Sequence, residues 1–167
     1  VLVQALIAEL QQKLHIAPQL INLGDIARPL GATVSRKEVS EEVEAHLRAI
    51  ESADLLIAAT PVYRASYTGH FKHLFDLVGQ EALVDKPVLL AATGGSDRHA
   101  LVIDHQLRPL FSFFQSLTLP IGVYAANSDF GNYRIVNATL QERIRLAVER
   151  AAPLFEQAQR QSLRRVA

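Results

Sequence analysis

The chain has 167 residues, 49% of them hydrophobic, which favours one domain over residues 1–167 with a substantial core. Lys and Arg together number 17, as do Asp and Glu, so the formal charge is zero and provides no basic field for nucleic acid or a membrane surface. Cysteine is absent, which excludes disulfides, thiolate catalysis and cysteine-ligated metals. Because no signal-like segment and no long apolar run is present, we expect a cytoplasmic protein whose partners are small molecules or proteins.

The first third of the chain alternates helical and extended patterns. Residues 3–14 carry apolar side chains at helical spacing, so the chain opens inside an amphipathic helix. Residues 19–23 form a short apolar run that predicts a strand, and the Pro-Leu-Gly at residues 29–31 predicts a loop after it. The Ser and Glu at either end of residues 35–38 match a capping box, which predicts a helix over residues 39–50.

The rest of the chain continues the alternation. Residues 53–59 and 87–92 are almost continuously apolar, which is typical of strands buried on both faces, and residues 121–125 predict a last strand. Strands separated by helices at this spacing indicate right-handed crossovers and a parallel sheet covered on both sides. The predicted helices cover residues 71–78, residues 99–117 and a final segment capped by Thr139 and Glu142, with the basic residues Arg160, Arg164 and Arg165 at a solvated helix end.

Two strand-to-helix turns carry the residues best suited to hold a ligand. The segment Thr60–Gly69 combines a proline, aromatic rings and small hydroxyl residues, and Thr93–Ser96 is a short turn with two glycines. In open parallel sheets, ligands bind at the carboxyl ends of the strands, where both segments begin. We expect Gly94 and Gly95 to allow close backbone approach or positive φ, so that their N–H and C=O groups pair with the polar edge of a planar heterocycle.

Three segments carry a family resemblance: residues 58–69 (AATPVYRASYTG), residues 72–77 (KHLFDL) and residues 91–96 (AATGGS) with His99 close behind. They resemble the NAD(P)H-dependent FMN reductases of the flavodoxin-like fold. The similarity is greatest to the reductase components of bacterial alkanesulfonate and methanesulfonate monooxygenase systems, and it extends over essentially the whole chain. It implies a three-layer α/β/α architecture with a parallel sheet.

The resemblance also implies a set of cofactor-binding residues. By correspondence with the family, one loop lines the isoalloxazine ring of FMN and the other holds its pyrimidine side. Arg64 is in addition a hypothesis for contact with flavin or nicotinamide phosphates. NADPH and NADH stay open, because Arg64, Arg98 and Arg134 are equal candidates for a 2′-phosphate ligand. The first loop contributes Pro61, Val62, Tyr63 and Arg64, and the second contributes Thr93, Gly94, Gly95 and Ser96.

The helix around His105 and Pro109 is expected to be distorted. Pro109 lacks an N–H, so the carbonyl of His105 loses its helical partner. Relatives carry a one-residue π-bulge in this helix at a subunit interface, and His105 stands where alkanesulfonate-type enzymes place an inserted Tyr. The resemblance therefore implies a subunit interface here, and His105 favours the methanesulfonate branch. The apolar helices around Leu74 and Phe111 predict the faces of a homodimer or homotetramer.

The chain departs from the family pattern at its start. A flavodoxin-like sheet has its first strand at the centre, followed by a loop that wraps the FMN phosphate at a helix N-terminus. Val1 already lies inside the helix that follows this loop. We therefore expect the natural protein to continue upstream by roughly 15 residues, enough for a strand and a turn.

The activity implied by the resemblance is hydride transfer from nicotinamide C4 to flavin N5, with no protein acid or base. Reduced FMN would then leave for a separate FMN-dependent monooxygenase that desulfonates alkanesulfonates. The alternatives are a quinone, azo or chromate reductase with prosthetic FMN, an electron carrier, which the balanced charge disfavours, and a non-enzymatic scaffold. His70 and His73 lie at i, i+3 without an evident third ligand, so no metal site is expected.

Overall fold

The structure is a computed structural model that describes the backbone of residues 1–166 and the side chains of residues 1–158 and 160. Its main sheet is parallel, with β1 (Leu56–Pro61), β2 (Pro87–Gly94), β3 (Leu117–Thr118) and β4 (Val123–Ala126). Strand β2 is central: it pairs with β1 on one side, and on the other with β3 near its start and β4 near its end. The carboxyl ends of β1, β2 and β4 therefore meet at one edge.

Helices cover both faces of this sheet and define a three-layer α/β/α fold, so the predicted fold class is confirmed. Side chains of β2 alternate between the two cores: Val88, Leu90 and Ala92 face one layer, and Leu89 and Ala91 face the other. All five are fully buried, which explains the continuous apolar run in the sequence. The α-helices are α1 (Leu2–Gln11), α2 (Leu23–Gly31), α3 (Glu41–Ser52), α4 (Gly69–Leu77), α5 (Arg108–Phe113) and α6 (Ala138–Val166).

Short helical turns and a hairpin complete the fold. The turn Asp97–His99 follows β2 in the chain, and the turn Asn127–Asp129 and the hairpin follow β4. The hairpin and the two-residue strand β3 are too short to give an alternating pattern, and the sequence reading missed them. The 3₁₀ turns are Arg36–Glu38, Asp97–His99 and Asn127–Asp129, the π-helix is Ile103–Leu107, and the antiparallel hairpin pairs β5 (Phe130–Gly131) with β6 (Arg134–Ile135).

The strand predicted at residues 19–23 is wrong. Residues 15–22 pair with no strand, and Leu23 begins α2. The Asn22 side chain caps this helix by accepting a hydrogen bond from the Gly24 N–H at 3.2 Å. Ile26 and Leu30, four residues apart, are buried, so a helical period was present in the segment predicted as a loop.

Two helix starts also differ from the prediction. The box at residues 35–38 exists, with the Ser35 N–H donating to Glu38 Oε2 at 3.3 Å, but it closes only a 3₁₀ turn. Helix α3 begins at Glu41, two residues after the predicted start at residue 39. Its cap is Ser40, whose Oγ accepts from the Val43 N–H. At α6 the cap is Asn137, whose Oδ1 accepts from the Thr139 N–H at 2.8 Å.

The outer edge of β1 lines an apolar slot. A cavity of about 430 Å³ lies between residues 15–21 and residues 55–59, with Ile7 of α1 and Phe71 of α4 among its walls. In the described structure the free edge of β1 faces this slot, and residues 15–21 form its other side without pairing in a strand. The upstream strand and phosphate loop stay a prediction.

The side chains of Arg164 and Arg165 lie outside the described residues, whereas Arg160 is exposed and 3.9 Å from Glu156. Within the described part of the chain, no helix is both long and apolar enough to span a bilayer.

One guanidinium joins three segments on the α3 side of the fold. Arg36 is bonded to both oxygens of Glu51 and to both oxygens of Glu44, at 3.1 Å for each Glu44 contact. Glu51 also accepts the Gly79 N–H at 2.8 Å. These hydrogen bonds to Arg36, reinforced by Arg48, hold the pKa of Glu44 at about 2, and Arg36 likewise lowers the pKa of Glu51.

We expect Arg36→Met to lower the melting temperature by roughly 2–4 °C at neutral pH. Because the folded-state pKa of Glu44 is below its ordinary 4.5, the lost stability is present above pH 4.5 and disappears as the pH falls toward 2. Melting curves of both proteins from pH 7 to pH 2.5 should therefore converge. Arg48→Met, which removes only an exposed partner of Glu44, is the control and should cost about 1 °C or less. A gap between wild type and Arg36→Met that stays constant with pH would contradict this account.

Candidate functional site

The two predicted loops meet because β1 and β2 pair in register. Pro61 lies opposite Thr93, and the Val62 N–H donates to the Thr93 carbonyl at 2.7 Å. This hydrogen bond continues the β1–β2 ladder one residue past β1, and it joins the first loop to the second where both leave the sheet. The loop predicted to line a ring and the loop predicted to hold its polar edge are therefore neighbours at one edge of the sheet.

The first loop contains a tight two-residue turn. The Tyr63 N–H donates to the Ser66 carbonyl at 2.9 Å, and the Ser66 N–H donates back to the Tyr63 carbonyl at 3.2 Å. The central residues, Arg64 and Ala65, have φ of 51° and 68°. Positive φ at both positions defines a type I′ turn, usually built from Asn and Gly. A non-glycine residue in this region costs about 1–3 kcal/mol, so the surroundings must hold the turn in place.

Side chains supply that support at both ends of the loop. Thr60 Oγ1 donates to the Pro61 carbonyl at 3.0 Å and accepts the Thr68 N–H at 3.3 Å. Thr68 Oγ1 in turn accepts the Phe71 N–H and caps α4. Ser66 Oγ donates to Gln106 Oε1 at 3.0 Å, which ties the turn to the π-helix.

The second loop is held by Tyr124 of β4. Its hydroxyl donates to the Ser96 carbonyl at 2.6 Å and passes through the space that a Cβ on Gly94 would occupy. No glycine in the described residues has positive φ, so of the two alternatives expected for Gly94 and Gly95, close approach or positive φ, the second is excluded. The close approach at Gly94 is made by Tyr124, whereas a Cβ on Gly95 would meet open space.

Burial keeps the Tyr124 hydroxyl a donor. Loss of solvent raises the pKa of Tyr124 above its ordinary 10, and the nearby charges of Asp97 and Asp129 raise it further. Asp129 is itself buried, where its carboxylate accepts the Ala126 N–H at 2.8 Å and a bond from Asn137 at 2.6 Å. The phenol is therefore protonated at neutral pH and donates to Ser96 throughout the physiological range.

The eight predicted cofactor-binding residues occupy different depths at this edge. Tyr63 is 66% exposed, whereas Val62 packs against the core. Gly94 is buried beneath Tyr124, which leaves Gly95 and Ser96 as the parts of the second loop that a ligand can reach. Pro61, Tyr63, Arg64 and Gly95 are exposed, and Val62, Thr93 and Ser96 are half-buried.

This edge fits a flat ring with a polar side. Pro61 and Tyr63 offer an exposed apolar and aromatic surface. The backbone N–H groups of Arg64, Gly95 and Ser96 make no hydrogen bond within the described part of the chain, so they are available to acceptors on a ligand. The open space at Gly95 lets a ring approach that backbone directly. The donors and the exposed apolar surface therefore suit a planar heterocycle with a polar edge.

The helix predicted at residues 99–117 is interrupted. It runs as the π-helix Ile103–Leu107 directly into α5, with the Arg108 N–H bonded to the Ile103 carbonyl five residues earlier. His105 and Pro109, which the sequence placed at this distortion, are both exposed. Neither contacts the two loops through a hydrogen bond in the described structure; the neighbouring Gln106 does.

The comparisons with known proteins identify the family of the chain. A family model described as NADPH-dependent FMN reductase matches residues 1–131. The chain belongs to this family. The predictions of an FMN-reducing oxidoreductase and of NAD(P)H as its reductant are thereby confirmed.

Relatives of this FMN reductase are similar over most of its length. The NADH-dependent FMN reductase SfnE of Pseudomonas putida is 66% identical over 154 residues, covering 92% of this chain and 83% of the relative. An FMN reductase (NADPH) of Pseudomonas aeruginosa is 67% identical over 155 residues, covering 93% and 83%. A solved oxidoreductase of Corynebacterium diphtheriae superposes with a TM-score of 0.81 at 34% identity, covering 93% and 85%.

Sequence reasoning missed the residues that hold the reductase's loops in place. Tyr124 lies inside the strand predicted at residues 121–125, and nothing in the local pattern connects it with Ser96. Gln106 sits inside a predicted helix, and nothing in the local pattern connects it with Ser66, 40 residues away. Within the described residues, no cluster of His, Asp or Glu is arranged to hold a metal ion. The His73 ring nitrogen instead lies 3.0 Å from the Leu30 carbonyl.

We expect Gly94→Ala to lower the melting temperature of the reductase by roughly 3–8 °C, because the new methyl group overlaps the Tyr124 hydroxyl. Removing that hydroxyl with Tyr124→Phe relieves the closest contact. Gly94→Ala should therefore cost about half as much in a Tyr124→Phe background as in the wild type, a non-additivity measurable by differential scanning calorimetry. Gly95→Ala, which meets open space, is the matched control. Equal losses in both backgrounds would show that the clash lies elsewhere.

Proposed function

We propose that FMN binds at the shared edge of β1 and β2, with the first loop against the isoalloxazine ring and the second loop at its pyrimidine side. The observation that carries this proposal is the adjacency of an exposed Tyr63 and the unbonded N–H groups of Gly95 and Ser96. From the first loop, Pro61, Val62 and Arg64 complete the proposed binding set. Thr93 and Gly94, which the sequence also predicts, lie deeper and are proposed to support the second loop from behind.

The protein's part in the reaction is placement. Bound flavin supplies the chemistry, since it accepts a hydride from the nicotinamide ring. Tyr63 and Pro61 provide a wall on which a ring can stack, and the N–H groups of Gly95 and Ser96 orient its polar side. Arg64, fixed in backbone conformation but free in its side chain, is proposed to contact a phosphate of FMN or of the coenzyme. No side chain at the edge is needed as an acid or base.

We propose further that the reduced FMN leaves the enzyme and serves a separate FMN-dependent monooxygenase that desulfonates alkanesulfonates. The site supports this role because the ring-binding residues Pro61, Tyr63 and Gly95 are exposed, so that the flavin can exchange. His105 at the place where alkanesulfonate-type enzymes carry Tyr favours methanesulfonate as the substrate of the partner. The coenzyme stays open between NADH and NADPH, because one of the similar reductases named above is described as NADH-dependent and the other as an FMN reductase (NADPH).

We also propose that the protein forms a homo-oligomer through an exposed row of residues along the π-helix and α5. Leu101, His105, Pro109 and Phe113 recur every four residues from the turn before the π-helix to the end of α5, and all four are exposed. Leu101 and Phe113 are 61% and 62% exposed, which is high for large apolar side chains. If the same helix of a second copy packed against this row, each copy would bury the row of the other in a two-fold contact.

We expect anaerobic oxidation of NADH or NADPH to saturate with added FMN, and rapid filtration to recover reduced FMN in the filtrate. Arg64→Ala should raise the KM for FMN or for the coenzyme roughly tenfold, the effect of losing one charge-assisted hydrogen bond. Lys37→Ala removes an exposed cation from the 3₁₀ turn Arg36–Glu38 and should leave both KM values unchanged. Wild-type KM values in Arg64→Ala would remove Arg64 from the site.

The same assay separates the alternative function. An FMN-dependent NADPH-azoreductase of Staphylococcus aureus is 28% identical over 124 residues. If the oxidation rate is independent of added FMN, depends on a quinone or azo dye, and leaves the flavin on the protein during filtration, the enzyme is a prosthetic-flavin reductase instead.

The oligomer is tested by sedimentation velocity. We expect the wild type to sediment as a dimer or tetramer, and the double variant Leu101→Glu/Phe113→Glu to sediment as a smaller species because charges replace the apolar contact. Val34→Glu changes another exposed apolar residue, 86% exposed and outside this helix, and should leave the assembly intact. A monomeric wild type, or an unchanged double variant, would refute the interface.

A further inference from the structure

One side-chain hydrogen bond connects the ring-binding loop with the π-helix. Ser66, the last residue of the Tyr63–Ser66 turn, donates from Oγ to Oε1 of Gln106 at 3.0 Å. The two residues are 40 positions apart in sequence, and both are half-buried. This bond joins the Tyr63–Ser66 turn directly to the π-helix through side chains.

The turn depends on such a tether. Its two central residues, Arg64 and Ala65, hold positive φ without the tolerance of glycine or asparagine. Two backbone hydrogen bonds between Tyr63 and Ser66 close the turn, but both lie within it and do not fix its direction relative to the sheet. The bond from the Val62 N–H to the Thr93 carbonyl fixes the entry to the turn, and the anchor at Ser66 fixes its far end, so the two together set the position of the exposed Tyr63 ring.

Gln106 is well placed to act as the fixed end. Ile103 and Leu107 on the same π-helix are 5% and 0% exposed, so this helix is packed firmly against the core. Arg108 braces the same segment, because its guanidinium donates to the Leu119 carbonyl at 3.0 Å and to Asp104 at 2.9 Å. The amide of Gln106 therefore presents its oxygen from a rigid support, whereas Ser66 belongs to a strained turn.

We propose that Gln106 is a positioning residue for FMN reduction, which acts through Ser66 to hold the Tyr63–Ser66 turn in the geometry that receives the flavin ring. The inference rests on the flavin site proposed above. It predicts an effect on the affinity for FMN and little effect on the chemical step, because Gln106 touches the turn and not the reacting atoms. It also makes the π-helix a support of the site, in addition to its exposed apolar face.

The test is a double-mutant cycle on FMN kinetics. Ser66→Ala and Gln106→Leu should each raise the KM for FMN roughly five- to tenfold, the effect of one lost hydrogen bond, with kcat at saturating FMN within about twofold of wild type. The double variant should have a KM no higher than either single variant, since both remove the same bond. Gln106→Glu keeps an acceptor oxygen for Ser66 and should restore most of the affinity.

A control on the same helix separates positioning from folding. Ser112 Oγ donates to the Arg108 carbonyl at 2.8 Å, away from the loops, and Ser112→Ala should leave the KM for FMN unchanged. Melting temperatures of all variants should agree within about 3 °C. Additive effects of the two substitutions, a fall in kcat without a change in KM, or unchanged kinetics in both single variants would overturn the positioning role alone. A wild-type protein that does not reduce FMN would overturn the proposed function together with it.

Discussion

The pairing of β1 with β2 is the constraint on which the site depends. Because the strands are parallel and Pro61 lies opposite Thr93, both chains leave the sheet at the same level. The Val62 N–H then extends the pairing into the loops. A shift of two residues along this pair, which keeps the side chains on their own faces, would move Tyr63 about 6–7 Å away from the Gly95 backbone and separate the ring wall from its polar edge. The register is fixed by the buried strand β2, whose side chains fill both cores.

Beyond this register, the loops are shaped by side chains acting over long sequence distances. A Tyr from β4 sets the second loop, and a Gln from the π-helix sets the first. Within the two loops, positive φ occurs at Arg64 and Ala65, neither of which is glycine, whereas Gly94 leaves room for the Tyr124 side chain. Strain at a non-glycine turn persists only when its surroundings hold it, which is why such turns concentrate at functional sites.

The sequence was sufficient for the parts of the fold that follow local rules. Continuous apolar runs identified β1, β2 and β4, and the proline at position 109 located a distorted helix. It failed where a local pattern fits two structures. Residues 19–23 have strand composition but lie without a pairing strand, and Asn22 starts a helix there instead. The contacts that orient the site, from Ser66 to Gln106 and from Tyr124 to Ser96, join distant residues, so no local pattern in the sequence could predict them.

The hydrogen bond from Tyr124 to the second loop also means that the site forms only in a state in which the sheet is folded. The ligand edge needs β1 for one loop, β2 for the other and β4 for the phenol that fixes it, so a species lacking any of the three strands has no complete site. Ligand binding at this edge is therefore linked to the global unfolding of the sheet as well as to the local opening of either loop. If FMN binds at the proposed site, it raises the population of the fully assembled sheet.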